Sequence, residues 1–125
     1  MPLSVVYCHC QDCRRWSGAP VSCFAAFEEG EVTVSPSPRP PVSANPGVAR
    51  WFCRACGSPV AAQFSYLPGQ IYVPIGILDQ AGELYPDFHG FEAERLPWLH
   101  IADSAERMDG TVRARVLSRF RPGRD

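Results

Sequence analysis

The chain has 125 residues, enough to bury the core of one domain and too few for two. Its formal net charge is -1 and all 12 basic residues are arginine, which gives no domain-wide basic surface for nucleic acid or an anionic membrane. No apolar run has the length of a membrane span, and residues 1–7 are too short and uncharged for a signal peptide, so the composition points to a small, soluble, cytoplasmic protein.

Val5-Val6-Tyr7 are β-branched or aromatic and predict a strand over residues 3–9. Alternation along that strand puts Cys8 and Cys10 on one face and His9 on the other. Gln11-Asp12 is expected to turn the chain, with Asp12 hydrogen-bonding inside the turn, and to return Cys13 to the same point. A disulfide framework spreads its cysteines to close long loops. Three thiols from one short segment suit instead a soft tetrahedral ion, with zinc the default. Arg14 and Arg15 follow at once; they are either solvated or a clamp for the carboxylate of a thiol substrate. Trp16, like Trp51, either walls a pocket or packs in the core.

A second strand is expected over residues 20–27, with Cys23 a buried strand residue rather than a ligand. Glu28-Glu29-Gly30 fits a hairpin turn into a strand over residues 31–34. The proline-rich residues 35–41 read as a surface loop, or as an extended ligand for a partner domain. A strand over residues 48–52 leads into the knuckle Cys53-Arg54-Ala55-Cys56-Gly57, whose glycine permits the positive φ of a tight turn. A redox C-x-x-C would open a helix, and Gly57-Ser58-Pro59 breaks the chain instead. Strands over residues 59–64 and 70–78 flank a turn at Leu67-Pro68-Gly69. His89 and His100 stand outside any motif and receive no role.

The last segment changes character. Residues 1–110 read as one zinc-binding domain and residues 111–125 as an Arg-rich tail carrying Arg113, Arg115, Arg119, Arg121 and Arg124. Val112, Val116 and Phe120 recur at helical spacing, while residues 111–116 also alternate like a strand. The tail is either docked by these apolar residues or offered to acidic partners.

The run Tyr7-Cys8-His9-Cys10-Gln11-Asp12-Cys13-Arg14-Arg15-Trp16-Ser17-Gly18-Ala19 resembles the signature of the glutathione-dependent formaldehyde-activating enzyme family, the GFA or CENP-V/GFA domain. Phe52-Cys53-Arg54-Ala55-Cys56-Gly57-Ser58-Pro59 is similar to that family's second cysteine motif, and Ile71-Tyr72-Val73, Gly76-Ile77-Leu78-Asp79 and Arg95-Leu96-Pro97-Trp98-Leu99 to its later segments. The resemblance implies a mainly β, Mss4-like fold of small curled antiparallel sheets with zinc knuckles. It implies an open three-cysteine zinc site at Cys8, Cys10 and Cys13, and half of a closed four-cysteine site at Cys53 and Cys56. The family's other half is a C-x-C pair on an earlier strand, which is not found ahead of Cys8 here. Three expectations follow: an upstream start, a short form with Cys53 and Cys56 unmetallated or bonded to each other, or one four-cysteine site joining them to the first cluster. Without that strand an uncovered sheet edge is expected, favouring a homodimer.

An open three-thiolate zinc suits capture of a soft thiol, which loses its proton on binding. The activity implied is that of a carbon–sulfur lyase acting on a small thiol such as glutathione and an aldehyde, or on their adduct, an S-hydroxymethylglutathione-like compound. The alternative is a non-catalytic zinc-binding interaction module with one closed four-cysteine site. No nucleic-acid or membrane partner is expected.

Overall fold

A computed structural model describes residues 1–119. Runs rich in β-branched and aromatic residues form the strands β1 (Ser4–Cys8), β2 (Ser22–Glu28), β3 (Val48–Phe52), β4 (Pro59–Phe64) and β5 (Gln70–Pro74). Two shorter strands follow, β6 (Phe88–Gly90) and β7 (Glu106–Arg107), with the helices α1 (Gln11–Ser17) and α2 (Arg113–Arg119) at opposite ends of the chain. The strands make one seven-stranded sheet in the order β3-β4-β5-β2-β1-β6-β7. The fold is mainly β, as expected. The sheet is mixed rather than purely antiparallel, because β6 runs parallel to both β1 and β7.

The expected strand over residues 31–34 and its hairpin do not form; Glu29–Glu31 is a 3-10 turn. The topology supplies the reason. β2 lies between β5 and β1, both antiparallel to it, so neither edge is left for a following hairpin strand. The strand expected over residues 70–78 stops at Pro74 and gives way to a 3-10 turn at Ile75–Ile77. The proline-rich segment is an exposed loop that meets the edge of β3: the Arg39 N–H donates to the Phe52 carbonyl, and just beyond the segment Val42 and Arg50 exchange backbone hydrogen bonds.

Register places the alternating apolar residues together. Val6 lies beside Phe24 and Phe88, Ala26 beside Tyr72, and Tyr72 beside Ala62. With Cys13, Phe64, Leu67, Val112 and Val116 they form the core. The Phe24 and Phe64 rings meet Tyr72 edge-on, at centroid separations of 6.1 and 5.5 Å.

The helical spacing near the C-terminus is realised in α2, whose Val116 is fully buried. The Arg113 Nε donates to the Tyr66 carbonyl, Arg115 pairs with Glu106, and Arg119 pairs with Asp87 while its guanidinium lies over the Phe88 ring. Phe120, Arg121 and Arg124 lie outside the described residues. Among the described residues no helix is long and apolar enough to cross a membrane.

Burial of Val116 makes α2 part of the folding unit. Val116→Ala is expected to cost about 1–3 kcal/mol, read as a lower urea midpoint at unchanged slope. A midpoint equal to wild type would show that α2 does not contribute to the core.

Candidate metal centre

The three clustered thiols sit where β1 passes into α1. Cys8 is the last residue of β1; Cys10, in extended backbone, caps α1, its Sγ accepting from the Cys13 N–H at 3.3 Å. Cys13 lies in the first helical turn and is 2% exposed. The turn expected at Gln11-Asp12 is thus the start of a short helix, ended at Gly18 with a φ of 71°. Asp12 does not close that turn; its carboxylate accepts from the Asn45 side-chain amide. The extended residue at position 10 and one helical turn bring the sulfurs together: Cys8 Sγ and Cys10 Sγ are 3.4 Å apart, and all three lie within 4.8 Å of one another. Tetrahedral coordination at about 2.3 Å spaces sulfurs about 3.8 Å apart, so this donor set can hold a metal ion.

The thiols are electrostatically unequal. Hydrogen bonds from the Cys13 and Cys8 sulfurs lower the Cys10 thiol to about 2. Sharing its proton with Cys10 raises Cys13 to about 12, and the bond to Cys10 pushes Cys8 up as well.

Sequence reasoning missed the group that faces them. Arg50 on β3 is 9% exposed, and its Nη2 lies 3.7 Å from Cys13 Sγ. Its guanidinium carbon is 4.8 Å from the Trp16 ring centroid and 5.5 Å from that of Phe64. No carboxylate pairs with it among the described residues. A guanidinium keeps its charge, and a buried charge needs an opposite one beside it. Ionised sulfur meets that need. Three thiolates, one divalent cation and one guanidinium sum to zero charge.

Beside the sulfurs opens a cavity of about 370 Å³, walled chiefly by Phe24, Phe64, Leu67, Tyr72 and Val112, with Arg50 on its wall. Arg14 and Arg15 lie off that wall, half-buried and exposed respectively. Trp16 stands behind it, stacked on Phe24 at 5.6 Å. Trp51 is half-buried on β3. Cys53 and Cys56 form a separate knuckle outside the three-thiol group: the Gly57 N–H donates to the Cys53 carbonyl, Gly57 has a φ of 78°, and Cys56 is exposed. Cys23 is half-buried on β2, where burial pushes its thiol up to about 12.

On the opposite face of β1, His9 is fully buried and points away from the sulfurs, into a second group to which the sequence assigns no role. Asp103 lies 3.0 Å from His89 Nε2, and His89 Nδ1 is 2.9 Å from His9 Nε2. With Asp103 as acceptor, His89 carries its proton on Nε2 and accepts from His9 at Nδ1. Glu92 approaches the pair at 3.3 and 3.6 Å and is itself paired with Arg95 and Arg107. Burial lowers the His9 pKa, which keeps its ring neutral. His9, His89 and Glu92 also have donor atoms close enough for a metal. Two carboxylates and two guanidinium groups, however, already balance the group's charge. His100, exposed, lines a small cavity with His89 and Glu92.

Residues 1–94 match the model of the glutathione-dependent formaldehyde-activating enzyme (GFA) family. The chain belongs to the GFA family. A search of curated proteins finds no match. The family description implies an enzyme that uses glutathione and formaldehyde. In this GFA domain the cluster of Cys8, Cys10 and Cys13 lies within the matched residues, as does Arg50.

The protein loaded with cobalt(II) should show intense thiolate-to-metal charge-transfer bands, and Cys10→Ala or Cys13→Ala should lower bound metal by about one ion per chain. Unchanged metal content in both variants would move the site elsewhere.

Proposed function

We propose that this GFA-family protein is a zinc-dependent carbon–sulfur lyase that joins a small thiol such as glutathione to an aldehyde, or splits their adduct. The observation that carries this reading is the meeting of three thiols, rather than four, at the wall of a cavity able to admit a small molecule. A structural zinc site uses four protein ligands, whereas a site with three keeps a position for substrate. When bound, zinc would lower the pKa of a substrate thiol so that it ionises at neutral pH.

The protein's own residues do the rest. Cys8, Cys10 and Cys13 would hold the ion from a strand end and a helix start, so the donor set is placed by regular backbone. Phe24, Phe64 and Tyr72 form an apolar wall of the cavity beside the sulfurs. Arg50 offsets the negative charge of the thiolates. In the forward direction the thiolate sulfur attacks the carbonyl carbon, a C–S bond forms, and the carbonyl π electrons move to oxygen. That oxygen then takes a proton from solvent, giving a hemithioacetal; the reverse sequence releases thiol and aldehyde.

Exchange of formaldehyde with its glutathione adduct, followed by two-dimensional exchange NMR, should run faster with the protein than without it. Cys10→Ser should return the rate to the enzyme-free value. The cobalt(II) spectrum should also shift on addition of glutathione. A metallated protein with neither response would be a non-catalytic zinc-binding module.

A further inference from the structure

Arg50 offers more than charge neutralisation. Its Nη2 is used on Cys13, but its Nη1 is buried with no hydrogen-bond partner. Buried donors in native proteins are almost always paired, and leaving one unpaired costs about 1–3 kcal/mol. An unpartnered donor on a guanidinium whose side chain lines a cavity points to a place where a ligand oxygen belongs. Arg50 is also the one cation on that wall among the described residues; the other charged residues lining it are Asp12 and Glu94, which repel an anionic oxygen. Its position is fixed on every side: β3 pairs Arg50 with Ala62, the Val42 bridge holds its other edge, and the Trp16 and Phe64 rings flank the guanidinium.

We propose that Arg50 is a catalytic residue whose Nη1 binds the aldehyde oxygen and stabilises the alkoxide that develops on it. This rests on the lyase reading above. In the step concerned, the sulfur lone pair forms the C–S bond, the carbonyl π bond breaks, and its electron pair goes to the oxygen held by Nη1. The guanidinium keeps its own protons, so the alkoxide is quenched by solvent, and in reverse the hydroxyl proton leaves to solvent before the C–S bond breaks. Such an arrangement acts on charge that exists only along the reaction path, and so raises kcat rather than tightening ground-state binding. Apart from the sulfurs, Arg50 and the carboxylates of Asp12 and Glu94, the wall carries only neutral side chains, and Arg50 is its one cationic donor among the described residues. The substrate class that fits is a small, uncharged aldehyde carried on a thiol.

The test compares the wild-type chain, Arg50→Met and Arg50→Lys, all zinc-loaded, with formaldehyde and glutathione as probes. Met keeps the packing between the rings and removes every donor; Lys keeps the charge and removes the fork. With metal content and the glutathione-induced cobalt(II) shift retained, Arg50→Met should lose about 100-fold or more in kcat with KM within about threefold of wild type. Arg50→Lys should recover part of that loss. A raised KM at unchanged kcat would make Arg50 a clamp for a thiol carboxylate and overturn the proposal. Loss of metal from both variants would overturn it too, reducing Arg50 to a counter-ion. If only Arg50→Met loses metal or fails to fold, Arg50→Lys decides: a kcat at least about tenfold down supports the role, and an unchanged one overturns it. Wild type without exchange overturns the lyase reading and this role together; a competent wild type with unaffected variants overturns this role alone.

Discussion

Everything around the thiol cluster depends on one constraint, the burial of the Arg50 guanidinium where no carboxylate of the described residues can reach it. A guanidinium cannot shed its charge to ease burial, as a lysine or histidine can. Its neutralisation therefore falls to Cys13 and its neighbours, which are suited to it only when ionised. Three free thiols packed within 4.8 Å of one another would resist full ionisation, since each new thiolate repels the others. A divalent cation removes that conflict and leaves the whole set neutral. Arg50 and a metal in the cluster are thus mutually supporting, and each would be costly without the other.

The sheet turns that constraint into a site. Alternate residues of β1, β2, β3, β4 and β5 face one cavity, so Cys8, Phe24, Arg50, Phe64 and Tyr72 reach it from five different strands. The reverse face of β1 carries its own polar layer, in which His9, His89 and Asp103 form a hydrogen-bonded chain with Glu92 beside it. Because His9 lies between Cys8 and Cys10, this layer grips the backbone that presents both sulfurs. A motif spaced Cys-His-Cys thereby serves two faces at once, thiols toward the cavity and an imidazole toward its support.

Local features of the fold are legible in the order of residues. Strand alternation places Cys8 and Cys10 opposite His9, the spacing to Cys13 announces a three-thiol group, and β3 and β4 fall where β-branched and aromatic runs end at Gly, Pro or Ser. The positive φ of Gly57 is likewise readable from its place after Cys56. These depend on neighbours within a few residues. The expected strand over residues 31–34 fails because its place is decided elsewhere, by β1 and β5 taking both edges of β2. The seven-residue α1 escapes notice because it is too short to show a helical repeat, its shape being set by the Cys10 cap and Gly18.

The sequence by itself determined the family signature, the three-thiol donor set and the mainly β character, since each is written in residue type and short spacing. Only the tertiary structure decided what the thiols face. Arg50 meets Cys13 across 37 residues, and His89 meets His9 across 80. No periodicity or motif encodes such encounters. They follow from strand order and register, which seat a charge beside the sulfurs and a cavity before them.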